Sequence, residues 1–373
     1  MGSMGIKVAL GAAGYSRFAG WPRWPARAVL GLLAVFLGLA ALSPITVGQG
    51  EAAKPPPLAG AATAAAGPVR FDDLRLYDAV IARLQRGEGY YDVIAEEHRK
   101  LPFPLKPGMA VRLPTLAYLA AWLGPSGLGA AAILLAGAVA LAWWRRLALE
   151  PGGRNNRVVI MILLLGGLNF LLVRYFHVLH ELWAGGLLAL AFALHRPGQR
   201  WIAALCVAAL ALAIRETALP FVLLAAAVAG YRRDWRECLG WTALALTFTA
   251  AWAWHLHLIA QLARPEDLVS APWLTLRGLP GALSLYLLPT PLRFLPAVLA
   301  GPVIVLALFG WAGWKSAAGT FGTLLLLGYG LFFMVAGRPE NWYWGALVTP
   351  VVFIGLAFVP LALRSAWRSA TRS

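Results

Sequence analysis

The sequence is poor in charge. Only 13% of its 373 residues are Asp, Glu, Lys or Arg, about half of the fraction in an ordinary soluble domain. Hydrophobic residues make up 60% of the chain, and the mean hydropathy is +0.69. A composition with so little charge excludes an ordinary soluble globular protein.

Cysteine is also scarce, and the two present do not form a disulfide framework. Cys206 lies within an apolar run, and Cys238 stands beside Arg236 and Glu237 at a predicted helix end. We therefore expect two free thiols and no structural bridge.

Acidic residues are half as numerous as basic ones, which gives a formal net charge of +16. An excess of this size can indicate nucleic-acid binding, but the chain has no basic domain. Its charges instead separate the hydrophobic runs, as the loops of membrane proteins do. We expect no nucleic-acid partner.

Long apolar runs are abundant, for example 28–42, 158–173 and 239–254. As helices, runs of this length cross, or nearly cross, about 30 Å of hydrocarbon. A segment that crosses lipid must have its backbone N–H and C=O groups hydrogen-bonded within the protein. An α-helix achieves this by itself, whereas β-strands achieve it only in a closed barrel. The predicted fold is an all-α polytopic membrane protein with about ten spans, near 27–46, 126–143, 158–173, 179–194, 201–214, 218–230, 239–257, 294–313, 320–336 and 343–363.

The apolar segment 109–124 fits this scheme less well. Counting it as an eleventh span would reverse the side of every later loop, and it contains Arg112 and Pro114 near its start. We predict a short helix on or in the outer leaflet, with a true span as the alternative.

Charge predicts the orientation. With the N-terminus inside, cytoplasmic segments hold 17 basic and 3 acidic residues, and the outer segments hold 15 and 13. This asymmetry follows the positive-inside rule. The predicted parts are a cytoplasmic tail (1–26), a first span (27–46), an extracytoplasmic loop with interfacial helices (47–124), a transmembrane bundle (125–363) and a cytoplasmic tail (364–373). A second outer connection, 259–293, is rich in proline and aromatic residues and is predicted to be a lid.

The long outer loop carries two adjacent acids, Asp72 and Asp73, with Tyr77 one turn later. A carboxylate at the lipid–water border is partly desolvated, which suits a general base that removes a hydroxyl proton. The alternative is structural, because acids in a first helical turn cap free N–H groups and complement the helix dipole.

Further along the same loop, aromatic, acidic and basic residues stand together as they do in sugar sites: Glu88, Tyr90, Tyr91, Glu96, Glu97, His98 and Arg99. Interfacial tyrosines also serve as ordinary membrane anchors. At the outer ends of later spans lie His177, His180, Glu181 and Glu216. The first three could hold a metal, but no second ligand cluster supports one, so we favour hydrogen bonding.

Five cations lie on the predicted outer side and together could hold a phosphate: Lys106, Arg112, Arg174, Arg215 and Arg338. Snorkelling to lipid headgroups is the alternative, chiefly for Lys106 and Arg338. Arg215 and Glu216 stand between two apolar runs, where ionisable residues usually face a cavity or a partner.

This order of features resembles the GT-C superfamily of integral membrane glycosyltransferases, in particular an uncharacterised bacterial branch. The resemblance rests on DLRLYD at 73–78, GEGYY at 87–91, EHR at 97–99, VRLPTLA at 111–117 and IRETALP at 214–220. It covers residues 71–124 and 212–222 locally; elsewhere only the architecture is similar.

The resemblance implies transfer of a sugar from a polyprenyl-phosphate donor to an acceptor hydroxyl on a glycolipid, polysaccharide or protein. An acid of the first outer loop would be the base, here Asp73 or, as the alternative, Asp72. Basic residues would stabilise the departing lipid phosphate, and Arg215, Arg174 and Arg112 are the candidates.

The expected sugar- or acceptor-binding residues are Tyr77, Tyr90, Tyr91, His98, Arg99, His177, His180, Glu181 and Glu216. We expect no cofactor and no metal, and a monomer in a bacterial inner membrane with its active site on the periplasmic side. The alternative function is a transporter or flippase for a lipid-linked precursor. That function predicts broken helices and charges near the midplane, whereas most charges here lie at the predicted borders.

Overall fold

A computed structural model of the chain describes residues 14–45 and 72–372. Within those ranges it is helical and contains no β-strand, so the all-α prediction is confirmed. The α-helices are α1 Arg23–Leu42, α2 Asp72–Gln85, α3 Tyr90–Lys100, α4 Thr115–Leu147, α5 Arg157–Leu168, α6 His180–Leu194, α7 Ile202–Ile214, α8 Leu219–Tyr231, α9 Trp235–Leu262, α10 Gly278–Leu287, α11 Ala297–Gly313, α12 Ala317–Val335, α13 Thr349–Val352 and α14 Val359–Thr371.

Six helical stretches of the described chain are long and apolar enough to cross a membrane, judged by length and composition. They are Arg23–Leu42, Gly108–Leu147, Gly153–Leu172, Trp235–Leu262, Ala317–Val335 and Thr349–Thr371. The predicted multi-pass architecture is confirmed at this level.

Four of the ten predicted spans fall on shorter helices, α6, α7, α8 and α11, which have 13 to 17 residues. A 13-residue helix rises only about 20 Å. The helices α7 and α8 are short because the chain between them is not α-helical. Arg215 has an extended backbone, with φ −148° and ψ 117°, and a 3₁₀ turn at Glu216–Ala218 follows it.

The segment 109–124 forms a 3₁₀ turn at Gly108–Ala110 and the first turns of α4. The helix kinks at Gly124, whose φ of 65° and ψ of 177° are not helical, and Pro125 follows. Glycine adopts this left-handed φ without the cost that other residues meet. The predicted boundary at 124/125 coincides with this kink, and whether the segment before it crosses a membrane stays a prediction.

One end of the bundle gathers the arginine-rich connections, and we call it the basic end: residues 14–22, 148–156, 195–201, 232–234, 314–316 and 364–372. Trp314 Nε1 donates to Pro151 O at 2.7 Å, and Lys315 N donates to Tyr15 O at 2.9 Å. The predicted C-terminal tail lies largely within α14, which packs on α1. There Arg27 Nε donates to Ala370 O at 3.1 Å.

The other end, the site end, gathers α2 and α3 with residues 102–114, 169–179, 215–218, 263–277 and 336–348. Tyr329 Oη donates to Thr217 O at 2.7 Å, and Gly337 N donates to Trp273 O at 2.8 Å. Leu105 N donates to Leu268 O at 3.2 Å. The connections that charge assigns to opposite sides of the membrane thus collect at opposite ends of the bundle.

Candidate functional site

A cavity of about 590 Å³ lies at the site end, between α2, α3 and the top of the bundle. We call it the main cavity. The helix α2 contributes four apolar or aromatic side chains to it, spaced so that one helical face lines the wall. These are Leu76, Tyr77, Val80 and Ile81.

One wall of the main cavity combines a cation, a phenol and an imidazole. Arg112 Nε donates to Tyr77 Oη at 3.3 Å, and the Tyr77 ring meets the His180 ring edge-on at 5.2 Å. Tyr90 Oη donates to the main-chain oxygen of Arg112 at 2.6 Å. The partly buried guanidinium of Arg112 is therefore held in place while lining the cavity.

His180 is 4% exposed, lines the main cavity, and has no hydrogen-bond partner at Nδ1. Unpaired buried polar atoms are uncommon in folded proteins and call for an explanation. The residue begins α6, and Gly185 in the same helix lies against the main chain at Ala346. A side chain at position 185 would push α6 away from the segment that forms the opposite wall.

That opposite wall comes from residues that are distant in sequence. Trp273, Arg338, Glu340, Asn341 and Tyr343 line it. The Arg338 guanidinium lies 5.7 Å from the centre of the Trp273 ring, and its Nε has no hydrogen-bond partner. Its nearest acid is Glu340, 4.0 Å away. The main cavity is thus lined by two cations, Arg112 and Arg338.

A buried ionic cluster lies behind the cavity. Arg215 Nε contacts Glu181 Oε1 at 2.7 Å, and both side chains are 1% exposed. Arg215 also pairs with Glu216, and its guanidinium lies 5.7 Å from the Trp344 ring centre. Neither Arg215 nor either glutamate is among the residues lining the main cavity. The predicted phosphate ligand Arg215 is thus already paired with two carboxylates.

The predicted sugar residues of α3 separate into two groups. Tyr90 and His98 line the main cavity. The Nδ1 atom of His98 lies 3.0 Å from Pro104 O, and burial lowers the pKa of this imidazole to about 4, so it is neutral at pH 7. Tyr91 Oη instead contacts His255 Nδ1 at 3.0 Å, which attaches α3 to α9.

Arg99 and Lys106 hold the 263–277 connection rather than the cavity. Arg99 binds both carboxylate oxygens of Asp267, at 2.7 and 2.8 Å, and these bonds lower the pKa of that carboxyl to about 2. Lys106 Nζ donates to Pro265 O at 2.7 Å. Together they fasten the connection whose residues 269–271 and 273 border the main cavity.

A second cavity of about 300 Å³ lies beside the first, and Ile81 and Val178 line both. It holds Asp78, Arg174 and His177, next to the kink at Pro125. His177 Nε2 lies 3.2 Å from Leu171 O. The structure therefore separates Arg174 and His177 from Arg112 and His180.

The predicted bases lie at the start of α2, which begins at Asp72. The side chains of Asp72 and Asp73 lie outside the described residues. Among the residues the structure does describe, no group of three or more His, Cys, Asp or Glu side chains could hold a metal ion.

Sequence reasoning missed Trp273 and Asn341 as cavity residues. The sequence signals for them were the aromatic-rich connection 259–293 and the cluster of polar and aromatic residues at 338–344. Comparison with family models, curated proteins and solved structures found no match to this chain.

Proposed function

We propose that this chain is a GT-C-like glycosyltransferase that moves a sugar from a polyprenyl-phosphate donor to an acceptor hydroxyl at the site end. The observation that carries the proposal is the main cavity, which is lined by aromatic rings, two imidazoles and two arginines. Rings stack on sugar faces, and arginines bind phosphate oxygens by paired N–H groups. A phosphate-linked sugar needs both kinds of group.

Two arginines suit the main cavity to the leaving group. Arg112 is oriented by Tyr77, and Arg338 Nε has no hydrogen-bond partner and lies 4.0 Å from Glu340. As the bond from the sugar's anomeric carbon to the phosphate oxygen breaks, negative charge develops on that phosphate, and fixed cations stabilise it. Arg215 lies behind this cavity in its pair with Glu181, so we assign it a supporting role.

In the proposed step, the acceptor hydroxyl oxygen bonds to the anomeric carbon, and the bond to the donor phosphate breaks. The polyprenyl phosphate leaves with the bonding electron pair, and the hydroxyl proton passes to a carboxylate. We assign that base to Asp73. The assignment is supported by spacing, because position 73 precedes Tyr77 by one helical turn in α2 and Tyr77 lines the cavity.

The test is transfer by the purified, reconstituted chain from a panel of radiolabelled prenyl-phosphate sugars to glycan and glycolipid acceptors. Asp73→Asn keeps the shape of the side chain but removes the base, so transfer should fall by roughly 10²–10⁴-fold. Asp72→Asn should have a milder effect.

The matched control is Asp92→Asn, an exposed aspartate in the first turn of the neighbouring α3. It should transfer at the wild-type rate. Normal turnover in Asp73→Asn would remove the assigned base. No transfer from any donor by the wild-type chain would remove the proposed function.

We also propose that α6, α7, α8 and α11 cross the membrane, giving ten spans. Each of them connects the two ends of the bundle, as α7 does between residues 202 and 214. The proposed membrane is a bacterial inner membrane with the site end on the periplasmic side, because the basic end carries most of the positive charge.

Orientation is tested in a variant without Cys206 and Cys238. A cysteine at exposed Gln85, on the site end, should react with an impermeant maleimide in intact cells. A cysteine at Tyr231, which is 91% exposed beside the basic end, should react only after permeabilisation. The reverse pattern would invert the proposed topology.

A further inference from the structure

An apolar groove of about 480 Å³ lies between α1, α10, α11 and α12, away from the main cavity. Phe18, beside the basic end, lines it at one extreme, and Leu279, beside the site end, lines it at the other. Four of its lining side chains are also exposed at the surface of the bundle, two from α1 and two from α12: Leu32, Phe36, Leu327 and Leu331. The groove therefore opens sideways, toward the space that lipid would fill.

The lining offers a ligand almost no polar contact. Among the described residues that line the groove, only Tyr286 has a hydroxyl, and that hydroxyl donates to the main-chain oxygen of Leu326. None of the lining side chains is charged. A surface of this kind attracts hydrocarbon and has no group with which to select a polar ligand. The occupant that suits the groove is therefore a hydrocarbon chain.

Arg17 lies where the groove reaches the basic end. It precedes Phe18 in the chain, and its main-chain nitrogen donates to Gly313 O at 2.8 Å, at the end of α11. Its Nη2 donates to Thr320 Oγ1 at 2.8 Å, on α12. Thr320 precedes Leu327 by two helical turns, so both lie on the face of α12 that lines the groove. The guanidinium thus extends the α12 wall of the groove toward the basic end.

The guanidinium of Arg17 has neutral partners only. Besides Thr320, its Nη2 contacts Trp314 O at 3.4 Å, and no acidic side chain of the described residues pairs with it. Its Nη1 has no hydrogen-bond partner in this part of the chain and, unlike Nε, is not a buried atom. A cation with accessible N–H groups and no acid beside it is suited to bind an anion.

The acids near the basic end do not balance this charge. Three carboxylates lie there among the described residues, and each has another partner: Glu150 with Arg146, Glu237 with His195, and Asp234 with the main-chain nitrogen of Glu237. At the opposite extreme of the groove, the charge of Arg277 is partly balanced by the nearby carboxylate of Glu340. Positive charge without a nearby acid therefore distinguishes the basic end of the groove.

We propose that the groove holds a hydrocarbon chain of an anionic phospholipid from the leaflet at the basic end, with the lipid phosphate at Arg17. This inference does not depend on sugar transfer. Phosphate oxygens only accept hydrogen bonds, and a guanidinium only donates them. A headgroup without a cation of its own suits a region that has no acid free to bind one. Phosphatidylglycerol is such a lipid, whereas phosphatidylcholine carries a quaternary ammonium.

The test is native mass spectrometry of the full chain, titrated in detergent with dioleoyl phosphatidylglycerol or dioleoyl phosphatidylcholine, with the affinity for the first bound lipid as the readout. Wild type should bind phosphatidylglycerol more tightly. Arg17→Gln should weaken binding of this lipid by about tenfold, as expected for a lost hydrogen bond to a charged group, and should affect phosphatidylcholine less. The control is Arg23→Gln, at an exposed arginine that begins α1, which should bind both lipids as wild type does.

A second substitution tests the groove independently of Arg17. Ala312 lines the groove, so the larger ring in Ala312→Phe would occupy space that the hydrocarbon chain needs. Both lipids should then bind more weakly. Its control is Ala243→Phe, which places the same ring at an exposed position of α9 outside the groove and should leave both affinities unchanged.

Equal affinity of wild type for the two lipids would overturn the proposal, because no anionic headgroup would then be selected. An equal loss in Arg17→Gln and Arg23→Gln would also overturn it, since the general surface charge would then account for binding. Wild-type affinity in Ala312→Phe would show that the groove is not the site. A loss in Ala312→Phe with none in Arg17→Gln would place the headgroup elsewhere and would equally contradict the proposal.

Discussion

Two buried ionic clusters lie at opposite ends of the bundle, and they differ in what lies beside them. At the basic end, Glu237 Oε1 lies 2.6 Å from His195 Nε2 and accepts from Trp241 Nε1 at 3.2 Å. Its other oxygen accepts from Gly198 N at 2.7 Å. Among the described residues, no buried side-chain atom of these three side chains lacks a partner. This cluster holds one connection to α9.

At the site end Arg215 is matched by Glu181 and Glu216. The site end, however, also contains buried atoms of other side chains that have no hydrogen-bond partner. They are His180 Nδ1, Thr217 Oγ1, Arg338 Nε and Trp344 Nε1. Two of these residues line the main cavity. The cluster at the basic end is not beside the main cavity, whereas the cluster at the site end lies next to polar side chains that line it.

The largest expected effect comes from removing the central cation of the site-end cluster. Arg215→Met leaves Glu181 buried without its cation, which should cost about 3–5 kcal/mol of unfolding free energy. Thermal unfolding in detergent measures it. Arg215→Met combined with Glu181→Gln and Glu216→Gln should recover a large part, because the uncompensated charges are gone. Wild-type stability in the single variant would show that Arg215 is not the centre of this cluster.

A smaller effect is expected from the basic end. Glu237→Gln keeps the shape of the side chain but weakens bonds to three donors, and should cost about 1–3 kcal/mol. Its sugar-transfer rate per folded molecule should match wild type, because the cluster lies at the other end of the bundle. Measuring both quantities on one preparation separates stability from activity. A slower transfer by fully folded Glu237→Gln would break the contrast between the two ends.

The smallest effect concerns pH at the site end. His98 has a native pKa of about 4, below the ordinary 6.5 of an unfolded histidine. The unfolded chain therefore binds more protons than the folded chain between these two pH values. The contribution of His98 to the free energy of unfolding is present above pH 6.5 and is lost as the pH falls toward 4. Between pH 7.5 and pH 5.5, this contribution should decrease by about 1.4 kcal/mol. Glu96 and Asp267 titrate near pH 2 and stay outside this window.

His98→Asn is the control for this pH effect. Its amide can still donate to Pro104 O but does not titrate. The difference between unfolding temperatures at pH 7.5 and 5.5 should be smaller in this variant than in wild type. An equal difference in both proteins would show that another group causes the loss.

The helical architecture could be predicted because membrane-crossing helices need local apolar runs, and these are visible in the sequence. The kink at Gly124 also has a local cause, the Gly-Pro pair. The prediction of a lid at 259–293 did not include the helix that lies within this segment. The segment contains α10, which is buried against α12 although one proline and two glycines lie in its first four residues.

The pairings of the site could not be predicted, because they join residues far apart in sequence. Arg215 meets Glu181 from 34 positions away, and Arg99 meets Asp267 from 168. Local sequence patterns identified these residues as ionisable side chains in or beside the predicted spans. They did not indicate which cation pairs with which acid. From the sequence, Arg215 and Arg112 were both candidate phosphate-binding residues. In the structure, Arg215 is paired with carboxylates, whereas Arg112 lines the main cavity.

The most direct test of the account is the position of a bound donor. We suggest cryo-electron microscopy of the reconstituted chain with a long-chain polyprenyl-phosphate sugar. We predict that the phosphate will lie in the main cavity, within hydrogen-bond distance of Arg112 or Arg338, and that the sugar will lie beside Tyr77 and His180. A phosphate bound at the basic end, or only beside Arg174 in the second cavity, would contradict it.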